Sequence, residues 1–468
     1  MEMINGRVQM HWRFLCFMLA FVLIFMLGGA EAKWGWPTLM VLIATCVIAF
    51  TAQATAFRAL NRSPLTFRLA VALLMASIVL QLIPLPLDVW SIMPGQSPRS
   101  DVVRTFLTTE TWLPISQVPM WTAYTGIMLL GSLAALAAMV DMTTRQFQWI
   151  SYMIIVLIAI SIGVGVLQFA SNGVMLKFHV VANDGALLGF FANKNHAASV
   201  IAMSIPIARA LLVSTRRVKQ ENIVSALYTI IALLAVIATN SRAGLALAVI
   251  SAAVTHLDQL LRAPWRTRLG AAGLVLLLFM AVYYSQTFQI VADRTGQIGA
   301  DGRWLILDRS MPLLHSFWLT GSGWGSYVTI YQTRESLDWL TPTYVNNAHN
   351  DFLQIAIEGG ILACVALVAA VFALIKLVLT VWRDSSGSPR RLALAGTIAV
   401  AIIILHSVVD YPLRRPAALF IFLYALAAIL RGYHQAATGV NEHSANGGLG
   451  GTLGLNDSVA LQSVTVRA

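Results

Sequence analysis

The chain has 468 residues, 58% of them hydrophobic and only 11% charged, with a formal net charge of +11. That balance excludes a soluble globular domain, in which about 25% of residues are charged, and the sequence lacks the short alternating segments of a membrane β-barrel. The positive charge is spread over short connections between apolar runs, so it reports membrane sidedness and not a nucleic-acid partner.

Met1 to Arg13 is mildly basic, an apolar run follows, and Ala30-Glu31-Ala32 resembles a cleavage site. We read this run as a retained first span. Apolar runs long enough to cross a bilayer then recur near 14–30, 37–57, 69–86, 120–140, 149–169, 196–214, 223–239, 243–261, 269–285, 352–380, 392–409 and 416–432, about twelve in all. The expected fold is an all-α polytopic membrane protein with one large extramembrane loop, at 285–350, inside a transmembrane domain spanning 1–433. The tail 434–468, rich in Gly, Ser and Asn, reads as disordered and cytoplasmic. Cys16, Cys46 and Cys364 lie inside separate apolar runs, with no metal or disulfide spacing, and read as small buried hydrophobes.

Lys and Arg in short loops mark the cytoplasmic side. With the N-terminus inside, Arg58, Arg62, Arg68, Arg145, Arg216, Arg217, Lys219, Arg262, Arg266, Arg268, Arg383, Arg390, Arg391 and Arg431 all fall there. The segments 87–119 and 286–348 then face outward. Lys194, Arg242, Arg303, Arg309, Arg414 and Arg415 run against the trend and need another reason.

Four polar clusters fall on that outer side: GFFANKNHAA (189–198), TNSRAG (239–244), NNAHND (346–351) and HSVVDYPLRRP (406–416). Three precede inward-running spans and the fourth ends just before the last one. Asn195, Ser241 and Asp351 are candidate N-caps, and Pro416 suits a first helical turn. Helix N-termini offer unpaired N–H groups and partial positive charge, and arginine binds phosphate bidentately. Together they suit a phosphate-bearing group at the membrane interface. The clusters nominate Asn193, Asn195, Asn350, Asp351, His406, Asp410 and Arg414 as substrate-binding residues, although polar caps and interfacial anchors would account for each cluster taken alone. His406 and Asp410, four apart, are positioned to pair.

Asp351, Gln354 and Glu358 share one helix face, with Glu358 roughly 10 Å below Asp351 at ~1.5 Å rise per residue. An acid at that depth is expected to face the bundle interior. Within the large loop, GRWLILDRSMPLL predicts a helix beginning near Arg303, with Trp304, Ile306, Leu307, Met311 and Leu314 as its apolar face. GSGWGSY (321–327) is a glycine-rich turn suited to wrapping a ligand or to close backbone packing.

NKN before one span, SRAG before the next but one, GRW and GSGWGSY in a long outer loop, HNDFLQ with EGG at its end, and then HSVVDYPLRRP together resemble the O-antigen ligase and O-antigen polymerase superfamily, over roughly residues 185–420. The resemblance implies a bacterial inner-membrane glycosyltransferase of the C-type fold. Such an enzyme transfers glycan from an undecaprenyl-diphosphate carrier, at the periplasmic face, to lipid A–core or to another glycan acceptor. It implies neither metal nor nucleotide cofactor. Arg242 and Arg303 would bind the diphosphate, and His349 would contact or deprotonate the acceptor hydroxyl. The lysine of NKN and the doubled arginine of LRRP vary in that superfamily, so Lys194 and Arg415 carry less of the assignment. A histidine can act as general base near neutral pH, and arginines can neutralise a leaving diphosphate without a metal. The alternative is a transporter or flippase, with Glu358 and the His406/Asp410 pair as proton-relay groups. Against it, no duplicated halves are visible and the charges gather at one membrane face.

Overall fold

The computed structural model describes residues 2–4, 7–9, 12–30, 35–106, 110–179, 183, 185–212, 218–283, 302–335 and 344–449. It is built from helices: α1 (Trp12–Leu27), α2 (Trp36–Asn61), α3 (Leu65–Leu82), α4 (Leu87–Ser91), α5 (Ser97–Phe106), α6 (Pro119–Asp141), α7 (Thr144–Ala170), α8 (Lys194–Leu212), α9 (Val218–Ala238), α10 (Arg242–Thr255), α11 (Leu257–Arg262), α12 (Trp265–Tyr283), α13 (Gly302–Phe317), α14 (Tyr327–Gln332), α15 (Asp351–Asp384), α16 (Gly387–His406) and α17 (Pro416–Leu449). Two short antiparallel strand pairs join Glu2–Ile4 to Arg7–Gln9 and, across α4 and α5, Pro84–Pro86 to Trp112–Pro114. This is a multi-pass membrane protein. Among the described residues, 8 helices are long and apolar enough to cross a bilayer, and Trp12–Leu27, Trp36–Ala52 and Arg242–Thr255 are shorter apolar helices.

Each apolar run read from the sequence falls on a helix, and the run at 243–261 divides at His256 into α10 and α11. The cleavage-like Glu31 and Ala32, and Arg216 and Arg217, lie outside the described residues, as do parts of the large loop. The last helix continues past position 433 to Leu449, and 450–468 lie outside the described residues.

Successive spans alternate in direction, as shown by the contacts at their ends. At one end, Ala417 N–H donates to Gly28 O (3.2 Å), Leu187 N–H to Ala238 O (2.9 Å) and Asp351 N–H to Ser407 O (2.9 Å). At the other, Arg58 pairs with Asp141 (2.9 Å), Arg209 with Asp258 (2.9 Å), and Arg431 donates to Val140 O (2.7 Å). The four polar clusters gather at the first end. Of the arginines read as cytoplasmic, Arg58, Arg268, Arg390 and Arg431 bond at or near helix ends at the second.

Helix α8 is the centre of the bundle, buried along nearly its whole length despite the polar residues in its first turn. Between α12 and α15 the chain forms a small lobe with its own core of Leu313, Phe317, Tyr327, Val328, Ile330 and Tyr331, closed by Ala348 and Ile357. The predicted helix at Arg303 is present, and Ile306 and Leu314 of its expected apolar face pack against the lobe core, but the buried stripe is turned away from Trp304 and Met311. Ser310, Leu313 and Phe317 are buried, whereas Trp304 is 67% and Met311 48% exposed. The expectation placed the face by apolar content alone. Packing instead follows the shape of the lobe, with the Ser310 hydroxyl bonded to the Tyr327 phenol (2.7 Å).

Helix α15 bends at Gly360, whose φ of 64° and ψ of −159° belong to glycine. The glycine-rich turn 321–327 docks onto this bend. Ser322 N–H donates to Ile357 O (2.9 Å), Gly323 N–H to Glu358 O (3.1 Å), and Ile361 N–H to Leu319 O (3.2 Å). Gln81 of α3 adds Nε2–H donors to Glu358 O (2.7 Å) and Thr320 O (2.9 Å). Close backbone packing is thus what these glycines serve, and the hydrogen bonds released by the bend are taken up by the lobe.

Candidate functional site

Three helix starts and one helix end meet where the polar clusters converge. Asn193 Oδ1 accepts from Asn195 N–H (2.8 Å) at the start of α8. Ser241 caps α10, its hydroxyl accepting from Gly244 N–H (3.1 Å). Asn350, not Asp351, is the cap of α15: its Oδ1 accepts from Leu353 N–H (2.9 Å), and its Nδ2 donates to Val408 O (3.0 Å). Asp351 is instead the first helical residue.

Asn195 joins the clusters. Its Oδ1 accepts from the Ser241 hydroxyl (2.7 Å), and its Nδ2 donates to Asp410 Oδ2 (2.6 Å). Asp410, fully buried after α16, is the point of convergence. Tyr411 N–H donates to its Oδ1 (3.0 Å). His349 Nδ1 approaches Oδ1 at 3.5 Å, His196 Nε2 at 3.6 Å, and Arg303 Nη2 lies 3.5 Å from Oδ2. Burial alone would push the Asp410 carboxyl up. The imidazoles of His196 and His349 and the charge of Arg303 outweigh it and hold the group well below the usual carboxylate range. Asp410 is therefore an anion beneath His349 and Arg303.

His349 itself is partly exposed, with a left-handed backbone of φ 51°. Its ring meets the Tyr411 ring edge-on at 4.8 Å, and His196 meets the same ring at 4.9 Å. Arg415, buried, stacks its guanidinium on Tyr411 at 4.9 Å. Arg303 donates from Nη1 to Val409 O (3.1 Å) and keeps 37% of its side chain exposed. Arg242, the first residue of α10, is exposed and makes no ion pair among the described residues. Arg242 and Arg303 both stand close enough to Lys194 for their charges to act on it. Three cations held together against their repulsion form a surface suited to an anion.

The remaining predicted residues form a second, buried layer. Asp351 Oδ2 accepts from the Ser407 hydroxyl (2.9 Å) and Leu413 N–H (3.2 Å). Arg414 donates from Nη1 to Glu358 Oε2 (2.8 Å), and its Nε lies 3.6 Å from Asp351 Oδ1. Its charge is thus directed inward to two acids. His406 and Asp410 do not bond through their side chains: His406 Nδ1 meets the Ser199 hydroxyl, and Asp410 N–H donates to His406 O (2.9 Å). Four residues apart at a helix end, they share a backbone turn while their side chains diverge.

Two contributors escaped the sequence reading. His196 sits inside the quoted NKNHAA cluster, and Tyr411 inside HSVVDYP, but neither breaks a topological or charge trend. Among the described residues no group of three His, Cys, Asp or Glu side chains is arranged to hold a metal ion.

Residues 227–368 match a family model described as O-antigen ligase. The matched segment contains Arg242, Arg303, His349 and Glu358, and the resemblance to the O-antigen ligase and polymerase superfamily holds there. No curated protein matches the chain.

Proposed function

We propose, from the O-antigen ligase family that residues 227–368 match, that the chain transfers a glycan from an undecaprenyl-diphosphate carrier to an acceptor hydroxyl at the periplasmic face of the bacterial inner membrane. The acceptor is lipid A–core or another glycan. The observation that carries this reading is the meeting of His349 and Arg303 on one buried anion, Asp410, beside Arg242 and Lys194.

The chemistry follows from that arrangement. The acceptor oxygen attacks the anomeric carbon of the donor sugar, and its proton passes to the His349 nitrogen that faces away from Asp410. Asp410 stabilises the imidazolium so formed. The bond from the anomeric carbon to the diphosphate oxygen breaks, and the electron pair leaves with the diphosphate. Arg242 and Arg303 neutralise that charge, with Lys194 beside them. Preorganised cations of this kind serve where a metal would otherwise stand, so activity is expected to persist in excess EDTA. Asn195, Asp351 and His406, which are buried, hold the site from beneath, while Asn193, Asn350 and Arg414 keep partial exposure beside it.

The test is donor binding and turnover of purified, folded variants. Arg242→Ala and Arg303→Ala should each lose about 2–4 kcal/mol of transition-state stabilisation, some 30- to 1000-fold in rate. Lysine should restore part of it, lacking the planar fork. His349→Ala should abolish transfer and leave donor binding nearly intact. Arg262→Ala and Arg383→Ala, exposed at the far end of the bundle, should turn over normally. Wild-type turnover by His349→Ala, or loss of activity in EDTA with recovery on adding a divalent ion, would remove this mechanism.

A further inference from the structure

Glu358 is fully buried within the span that follows His349, and the transfer chemistry above makes no use of it. An acid at that position is costly unless every lone pair is engaged. Three donors converge on its carboxylate: Tyr327 N–H to Oε1 (3.0 Å), Gln354 Nε2–H to Oε1 (3.2 Å) and Arg414 Nη1–H to Oε2 (2.8 Å). An amide in its place has one oxygen for three donors and would turn its own NH2 toward one of them.

The Gln354 amide lies between Glu358 and the backbone next to His349. Its Oε1 accepts from Ala348 N–H (3.0 Å). A glutamine can present either end of its amide. Glu358 only accepts, so it draws the NH2 and leaves the oxygen for Ala348. The next residue, His349, has φ 51°, a conformation that costs a non-glycine residue about 1–3 kcal/mol and persists only when its surroundings impose it. On the downstream side Asn350 and Asp351 are tied to Val408 O and Ser407 O. On the upstream side Gln354 ties the residue adjacent to His349, and further back the Tyr411 hydroxyl donates to Asn346 Oδ1 (3.4 Å).

We propose that Gln354, oriented by Glu358, is a positioning residue that holds the strained backbone of His349 and so aims its imidazole at the acceptor. The inference rests on His349 being the base. Arg414 belongs to the same device: it neutralises Glu358 and, through Asp351, fixes the first residue of α15.

The experiment uses the full chain in detergent or lipid with a lipid-diphosphate-linked glycan as probe. Gln354→Met keeps volume and removes the acceptor for Ala348; Glu358→Gln removes the orienting charge. Each should lower kcat about tenfold or more, the scale of one lost directing hydrogen bond, with donor KM unchanged. The double variant should lose less than the two single losses combined, because the two share the Gln354–Glu358 contact. Gln354→Asn, which withdraws the amide by one methylene, gives the same reading if Gln354→Met fails to fold. Wild-type kcat in the Gln354 variants, additive losses in the double variant, or kcat and donor affinity falling together would overturn the inference. His349→Ala measured alongside separates the outcomes. If it is inactive while Gln354→Met is normal, positioning alone is wrong; if it is active, the base assignment is wrong.

Discussion

Asp410 gathers groups from four separate stretches of chain: Asn195 and His196, Arg303, His349 and Tyr411. Asp410→Asn preserves shape and an acceptor for Asn195 but removes the charge that supports His349 and Arg303. Turnover should fall at least 100-fold, about 3 kcal/mol, with donor affinity reduced less. The variant should also change acid tolerance. The carboxyl of Asp410 lies well below the usual carboxylate range, so at low pH the unfolded chain binds its proton before the native state does. Its stabilisation is therefore complete above the ordinary carboxylate value and is lost as pH falls toward the native one. Thermal unfolding from neutral pH downward should show a shallower acid decline for Asp410→Asn; identical slopes would mean the carboxylate is not held as an anion. At this scale the sequence was most legible where a residue broke a rule. Arg242, Arg303 and His349 stood out as polar or charged groups on the side where bare positives are avoided. His196 and Tyr411 broke none. A buried imidazole just past a cap, or a tyrosine ahead of a proline, reads as packing until its neighbours in space are known.

The bend in α15 shows what an element inherits from outside itself. A Cβ on Gly360 would stand 2.5 Å from Gly321 N and 2.7 Å from Leu319 O, both backbone atoms that cannot swing aside. Gly360→Ala should destabilise the protein by at least about 1–3 kcal/mol from conformation alone, with the lobe displaced from α15. Unfolding in detergent and protease sensitivity of the lobe, compared with Ala substitution at the uncrowded Gly270, would check this. Equal stability of the two variants would mean that the bend straightens freely. Sequence anticipated a helix starting at about Asp351. It did not place the turn 321–327 on that bend, because the pairing depends on Gln81, far away in α3. The rotated face of α13 has the same origin. Periodicity indicates how much of a helix is apolar, while its partners decide which side is covered.

Across the whole molecule, the arginine pattern and the alternating span directions agree: the clusters lie at one end, and Arg58, Arg209 and Arg431 tie helix ends at the other. This was the most legible level, since a bilayer forces alternation and short loops declare their charge. A cysteine scan after replacing Cys16, Cys46 and Cys364 would fix the orientation. His315→Cys on α13 and Asp384→Cys at the end of α15 are both exposed. The first should react with an impermeant reagent from the periplasm and the second only from the cytoplasm. The opposite pattern would invert the molecule and move the site to the wrong compartment for a periplasmic transfer.

The bridge from Ser241 through Asn195 to Asp410 also bears on how such proteins can be recombined. The segment matched to the O-antigen ligase family, 227–368, brings Ser241, Arg242, Arg303 and His349 but neither Asn195 nor Asp410. A hybrid that imports that segment alone would graft a histidine and two arginines onto a foreign carboxylate and a foreign amide. Functional exchange between relatives should therefore require joints placed before residue 193 and after residue 416, so that the donor parent supplies both flanks together.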